Sequence, residues 1–174
     1  MLFTNENNIK MLAMDCDGVL TDGKIHMNSN GEDFKSFHVG DGMGFFLARR
    51  AGLKLAIITG RSSVALSIRA KELGVEDLHQ NISDKAAVLK ELMVKYNLKS
   101  KEIAYIGDDI NDIPAFEQVG LKIAVSNADD FLKKMADLVT DKCGGNGAVR
   151  EVINHILKKQ GLLEKIINQT YSGE

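Results

Sequence analysis

Short apolar runs alternate with longer stretches of helical period along almost the whole chain. Residues 9–14, Ile-Lys-Met-Leu-Ala-Met, predict a buried strand that ends on Asp15. Two short alternating runs, 24–27 and 34–39, flank the turn-rich Asn28-Ser29-Asn30-Gly31 and predict a hairpin over about 22–39. Residues 44–51 predict a helix stopped by Gly52, and residues 53–58 a second apolar strand ending at Thr59-Gly60-Arg61. A helix over 62–73 is stopped by Gly74, a short strand covers 75–80, and Asp84 is placed to cap a helix over 85–96. Residues 103–106 predict a strand that closes on Gly107-Asp108-Asp109. The helix expected over 110–119 carries the only proline, Pro114, near its first turn, where the missing N–H is tolerated. Last strands are expected over 121–125 and 138–139, with a helix over 129–136 between them. Gly144-Gly145-Asn146-Gly147 precedes an amphipathic helix over 148–159, and after Gly161 an amphipathic tail runs to Glu174.

Strands alternating with helices of this length mean βαβ units, hence an α/β fold: a Rossmann-like parallel sheet with helices on both faces. Ligands of such sheets bind beyond the carboxyl ends of the strands. The unusual residues stand at those ends: Asp15 and Asp17, Thr59 to Arg61, and Asp108 with Asp109.

Length and composition narrow the picture. The chain has 174 residues, the size of one domain spanning 1–174, and 44% hydrophobic against 26% charged residues is ordinary for a folded globule. Lys and Arg total 22 against 24 Asp and Glu, a net charge of −2, so no global field is available to hold nucleic acid. The cysteines, Cys16 and Cys143, lie far apart with no metal-binding spacing, which fits a reducing cytoplasm. The amino terminus lacks the pattern of a signal peptide, and no apolar run approaches the ~18 residues of a membrane span, so no membrane association is expected.

Asp15-Cys16-Asp17-Gly18-Val19-Leu20-Thr21-Asp22-Gly23 leaves the first strand directly. Two carboxylates two residues apart in an extended segment point the same way, so one can attack phosphorus while the other handles protons. Thr59 and the Gly60 N–H offer donors to a phosphate oxygen at what reads as a helix start. Lys85 opens a helix against the dipole, a placement that a facing phosphate would rationalise. The acids of Gly107-Asp108-Asp109-Ile110-Asn111-Asp112 repel one another unless a cation sits among them, and few hard oxygen ligands suit Mg²⁺. Taken singly, each position also has a structural reading: turn and cap for the Asp, Thr and Asn residues, a solvated surface for Lys85.

In this order and placement the four segments resemble the haloacid dehalogenase superfamily of phosphohydrolases. The resemblance implies Asp15 as the nucleophile that forms an aspartyl-phosphate and Asp17 as the general acid and base. It further implies Mg²⁺ held by the Asp15 side chain, the Asp17 backbone carbonyl and the Asp108 side chain, with Asp109 or Asp112 as outlying acids. Thr59 and Gly60 would bind the phosphoryl group and Lys85 would neutralise it.

The superfamily's cap domains find no room here: between Asp17 and Thr59 there is space for the hairpin and one helix, between Arg61 and Lys85 for one helix and a short strand. The chain is similar to the capless sugar-acid phosphatases in its DxDGVLTDG, its His38-Val39-Gly40-Asp41-Gly42 segment, its ITGR, its GDDxND and its GGxGAVRE over 144–151. This implies a small phosphorylated eight-carbon sugar acid as substrate, in lipopolysaccharide precursor synthesis, with Asp41, Gly42, Arg61 and Arg69 at the sugar. Arg61 and Arg69 lie eight residues apart, near one helical face, and a guanidinium grips a carboxylate as a planar fork. It also implies a homotetramer in which a neighbouring subunit covers the site with the hairpin or the tail. A nine-carbon sugar acid is the alternative substrate, and a non-catalytic phosphosugar-binding module the alternative class. Phe46 and Asn146 depart from the basic residues relatives carry there, while Arg150 has a site, an interface or a plain helix-opening role open to it.

Overall fold

Residues 8–31 and 33–171 are described by the structure, a computed structural model. Strand β1, Met11–Met14, is buried at every position. Consecutive strand residues point to opposite faces, so such a strand must be covered on both sides. It pairs in parallel with β4 (Lys54–Ile58) on one edge and β6 (Ile103–Gly107) on the other. With β5 (Asp77–His79), β7 (Leu121–Ala124) and β8 (Leu138–Val139) the sheet has six strands in the order β5-β4-β1-β6-β7-β8. The chain moves outward from β1 through β4 to β5, then returns to β6 on the opposite flank. The order therefore reverses at β1, and a crevice opens at its carboxyl end. Strands β2 (His26–Met27) and β3 (Asp33–Phe34) form a separate antiparallel pair.

Helix α1 (Val39–Arg50) packs on α6 (Ala148–Lys159) and α7 (Leu163–Tyr171), while α3 (Lys85–Tyr96) packs on α4 (Ile113–Phe116). Helices α2 (Val64–Leu73) and α5 (Asp130–Met135) complete the set. The apolar stripe of α6, Val149, Val152, Ile153, Ile156 and Leu157, is wholly buried. The tail expected after Gly161 is helix α7, seated on its own chain through Ile166; residues 172–174 of that tail lie outside the described residues.

Four expected elements differ. The predicted second hairpin run, 34–39, gives only Asp33–Phe34 as strand, and α1 begins at Val39 rather than at 44. The His38 side chain accepts the Gly40 N–H at 3.1 Å to start the helix. Glycines at 40, 42 and 44 argue against helix by propensity, each by ~1 kcal/mol, and tertiary packing overrides them. A Cβ on Gly44 would lie 3.2 Å from Arg150 Cα, so glycine is what lets α1 approach α6. The helix expected over 62–73 starts at Val64, capped by Ser63, so Thr59 and Gly60 sit in the loop before it and not at the helix end. The helix expected over 110–119 is a 3-10 turn, Ile110–Asp112, followed by the single turn of α4. There Asp112 turns inward and its carboxylate accepts the Asp108 N–H at 3.0 Å, which holds the chain in a tighter winding.

Candidate active site

Asp15 follows β1, Thr59 follows β4 and Asp108 follows β6, three adjacent strands, so the crevice collects all three segments. Asp15 is buried, its Oδ1 accepting the Cys16 N–H at 2.6 Å and its Oδ2 the Lys85 ammonium at 2.6 Å. Lys85, the first residue of α3, donates equally to Asp112 Oδ1 at 2.6 Å. A cation at a helix start opposes the dipole, and two carboxylates compensate it here. Asp112 is fully buried and also accepts the Tyr105 hydroxyl at 2.8 Å.

Burial pushes the Asp15 carboxyl up to about 6, with Asp112 adding to the rise and Lys85 opposing it. Asp108 is raised to about 7 by burial first, then by the charges of Asp112 and Asp15. Burial by itself would lower the Lys85 ammonium, but Asp112 and Asp15 outweigh it and hold it above the ordinary lysine value. Tyr105, wholly enclosed and facing Asp112, is pushed well above the ordinary phenol value, so it serves as a hydrogen-bond donor.

One oxygen from each of Asp15, Asp108 and Asp112 falls within 4.8 Å of the others. Asp15 and Asp108, whose protons burial and neighbouring charge hold tightly, form with Asp112 a donor set that a hard divalent cation relieves. Among the described residues no hydrogen bond is donated to the Asp108 side chain, whereas the Asp112 oxygens are engaged by Lys85, Tyr105 and Asp108 N–H. Asp108 and Asp15 are therefore the better-placed ligands, and Asp112 braces them. The Asp17 carboxylate is turned elsewhere, to Lys35 on one side and to Arg61 Nε at 3.8 Å on the other. Its backbone carbonyl was the atom expected near the metal, so this direction carries no conflict.

The loop holding Asp17 is clamped. Thr21 Oγ1 accepts the Gly18 and Gly23 N–H groups, each at 3.3 Å, and Gly145 N–H donates to Val19 O at 3.0 Å. A Cβ at Gly144 would fall 1.6 Å from Gly18 O, and one at Gly18 1.9 Å from Asp108 Oδ2. The Gly-rich run thus lets two backbones and a carboxylate meet where no side chain fits.

Around the rim the expected residues separate. Thr59 is buried with its hydroxyl accepting the Arg61 N–H at 3.4 Å, while Gly60 and Arg61 are exposed. Arg69 pairs with Glu72 at 3.1 Å and lies against Gly42, where a Cβ would come 2.9 Å from its Nη2. Asp41 is buried under α6, its Oδ1 accepting the Arg150 N–H at 2.7 Å and its Oδ2 without a hydrogen-bond partner. Burial raises its carboxyl, which that N–H partly offsets. Arg150 packs beside Gly44, Phe46 lies under the Arg50 guanidinium, and Asn146 is exposed. Asp109 is exposed and accepts the Ile110 N–H at 2.7 Å, a cap as one of its two readings had it.

Sequence reasoning did not single out Lys35 or Tyr105. For Tyr105 a signal existed, since a tyrosine inside an apolar strand needs a partner for its hydroxyl. Lys35 had none, because its contact with Asp17 is made across the fold.

Comparison with known proteins agrees with this geometry. The model of the haloacid dehalogenase-like hydrolase family matches residues 74–153. The 3-deoxy-D-manno-octulosonate 8-phosphate phosphatase KdsC of Salmonella typhi is 41% identical over 169 residues, covering 97% of this chain and 90% of the relative. The phosphatase of that name from Moraxella catarrhalis, solved with magnesium, phosphate and KDO, is 42% identical with a TM-score of 0.92, over 96% of this chain and 97% of that one. The cobalt-bound deoxy-D-mannose-octulosonate 8-phosphate phosphatase of Haemophilus influenzae is 39% identical with a TM-score of 0.88, over 91% and 92% of the two chains. Among the described residues no helix is long and apolar enough to cross a membrane. With this identity sustained over nearly its whole length, and with the same fold, the chain belongs to the haloacid dehalogenase-like hydrolases.

Proposed function

We propose that the chain is a magnesium-dependent phosphatase that hydrolyses 3-deoxy-D-manno-octulosonate 8-phosphate to KDO and phosphate. One observation carries the reading: acids from separate segments converge at the crevice, with the Lys85 ammonium bridging Asp15 and Asp112 at 2.6 Å each. The activity of the relatives supplies the substrate.

Asp15, Asp108 and the Asp17 carbonyl would hold a magnesium ion, whose positive charge would let an anionic nucleophile meet an anionic ester. Thr59 Oγ1 and the Gly60 N–H orient the phosphoryl oxygens, and Lys85 shares their charge. The Asp15 carboxylate forms a bond to phosphorus as the ester P–O bond breaks. The leaving oxygen keeps the electron pair and takes the proton carried by Asp17. Water then attacks the aspartyl-phosphate, Asp17 takes back a proton, and phosphate leaves as Asp15 is restored. At the far end, Arg61 and Arg69 receive the sugar carboxylate. Gly42 lets Arg69 lie against α1, and Asp41, buried under α6, holds the first turn of that helix through the Arg150 N–H.

We infer a single domain over 1–174, with no cap among the described residues, and a homotetramer whose neighbouring subunit covers the crevice. Ile25, Met27 and Phe34 on the small hairpin are exposed at 54%, 62% and 58%, apolar surface that an interface would bury. A reducing compartment such as the cytoplasm suits Cys16 and Cys143, which are not joined in a disulfide.

The test is phosphate release from the eight-carbon and the nine-carbon sugar-acid phosphates, with and without magnesium, in wild type and Asp15→Asn. Magnesium-dependent release, strongest on the eight-carbon ester and absent in D15N, is expected. Preference for the nine-carbon ester overturns the substrate, and no release from any sugar phosphate overturns the phosphatase. Light scattering on the eluting peak checks the tetramer.

A further inference from the structure

Lys35 follows β3 in the hairpin, outside the main sheet, yet its side chain is only 5% exposed. Lysine is rarely buried to that degree unless its charge is paired. The pairing is with Asp17 Oδ1. The other oxygen, Oδ2, is shielded from solvent and takes no hydrogen bond; Arg61 Nε, at 3.8 Å, is beyond hydrogen-bond reach. Asp17 is thus hydrogen-bonded through one oxygen, while the second is shielded from solvent with the Arg61 guanidinium 3.8 Å away. A hairpin of two two-residue strands is marginal alone, so its position depends on such anchoring contacts.

We propose that Lys35 is a positioning residue for proton transfer. By binding Oδ1 it fixes the orientation in which the Asp17 carboxyl meets the leaving oxygen. The inference rests on the phosphatase reading and adds to it the link between hairpin and chemistry. In the bond-breaking step the Asp17 carboxyl gives its proton to the ester oxygen that departs from phosphorus, while the Lys35 ammonium keeps the carboxyl in place. When water attacks the aspartyl-phosphate, its proton returns to the Asp17 carboxylate. A loosely held carboxyl would make that transfer less often, since transfer tolerates little misplacement.

Such a role has a signature that damage to the fold does not. Protonation matters when the departing oxygen is strongly basic and hardly at all when it leaves readily as an anion. The experiment measures kcat/KM for Lys35→Met, Lys35→Arg and Asp17→Asn on phenyl phosphate and p-nitrophenyl phosphate, neither of which carries a carboxylate for Lys35 to recognise. A positioned general acid contributes about 10²–10⁴-fold. K35M, which loses the positioning and keeps the acid, is expected to lose at least about tenfold more on phenyl than on p-nitrophenyl phosphate. K35R keeps the wild-type ratio of the two esters within about threefold. D17N shows the same selectivity as K35M, and adding K35M to D17N increases it no further, as expected of residues acting as a unit. If wild type cleaves only the sugar ester, K35M must lower kcat there about tenfold with KM within about threefold. Equal losses on both aryl esters, no loss on either, or a raised KM with unchanged kcat on the sugar ester overturn the proposal. Wild-type protein that releases phosphate from none of these esters overturns the phosphatase reading, a result distinct from all of those.

Discussion

Replacing Asp108 by asparagine should make the metal-free protein more stable while removing its response to magnesium. The Asp108 carboxyl is raised from 3.8 to about 7, first by burial and then by Asp112 and Asp15. At ~1.4 kcal/mol per pH unit, keeping it ionised in the folded protein costs ~4 kcal/mol. Local relaxation and entering water reduce this to ~2–4 kcal/mol. Because the folded pKa lies above the unfolded one, the cost is absent below about pH 4, grows up to about pH 7 and is complete above it. Asparagine keeps the shape without the charge, and no hydrogen bond is donated to the Asp108 side chain among the described residues. Unfolding of wild type and Asp108→Asn by urea and by heat, in EDTA at pH 8, should then show a gain of ~2–4 kcal/mol and ~5–12 °C for the variant. At pH 4.5 the gain should shrink to ~1 kcal/mol or less. Saturating magnesium should raise the wild-type melting temperature and leave the variant almost unmoved, since only wild type has the full ligand set. A variant no more stable than wild type in EDTA at pH 8, or one whose gain is the same at pH 4.5, would refute the reasoning.

Three further outcomes follow from the same geometry. Tyr105→Phe removes the 2.8 Å donor to a buried carboxylate and should cost ~1.5–3 kcal/mol in urea unfolding, with secondary structure unchanged by circular dichroism. Gly144→Ala drives a methyl to within 1.6 Å of Gly18 O, so the Asp17 loop must shift; activity should fall more than about tenfold in a phosphate-release assay while α6 stays folded. Magnesium binding near pH 6.5 should expel about one proton, because Asp15 and Asp108 titrate at about 6 and about 7 and must ionise to ligate. Calorimetry in two buffers of different ionisation enthalpy measures that release, which should vanish above about pH 8.

Legibility of the site varied with the range of the contact. Asp15, Thr59, Lys85 and Asp108 stand at strand or helix ends, and those ends are marked locally by apolar runs followed by turn residues. The reversal of strand order at β1 then brings the marked ends together. Asp112 was read as one of two outlying acids, because a short stretch of sequence does not reveal that a 3-10 turn points it inward toward Lys85 and Tyr105. The start of α1 is hidden in the local sequence for a similar reason: three glycines weaken a helix in isolation, while the close approach to α6 needs one of them.

The alternation of strands and helices, the parallel sheet and the row of acids beyond it were determined by the sequence, since burial period and end signals act between near neighbours in the chain. Which charges actually meet was decided by tertiary structure alone. Lys35 finds Asp17, Gly144 makes room for Gly18, and Asp41 caps α6 because packing holds remote segments at fixed separations. An ion pair or a close backbone contact depends on distances of a few ångströms, and those are set by the whole fold.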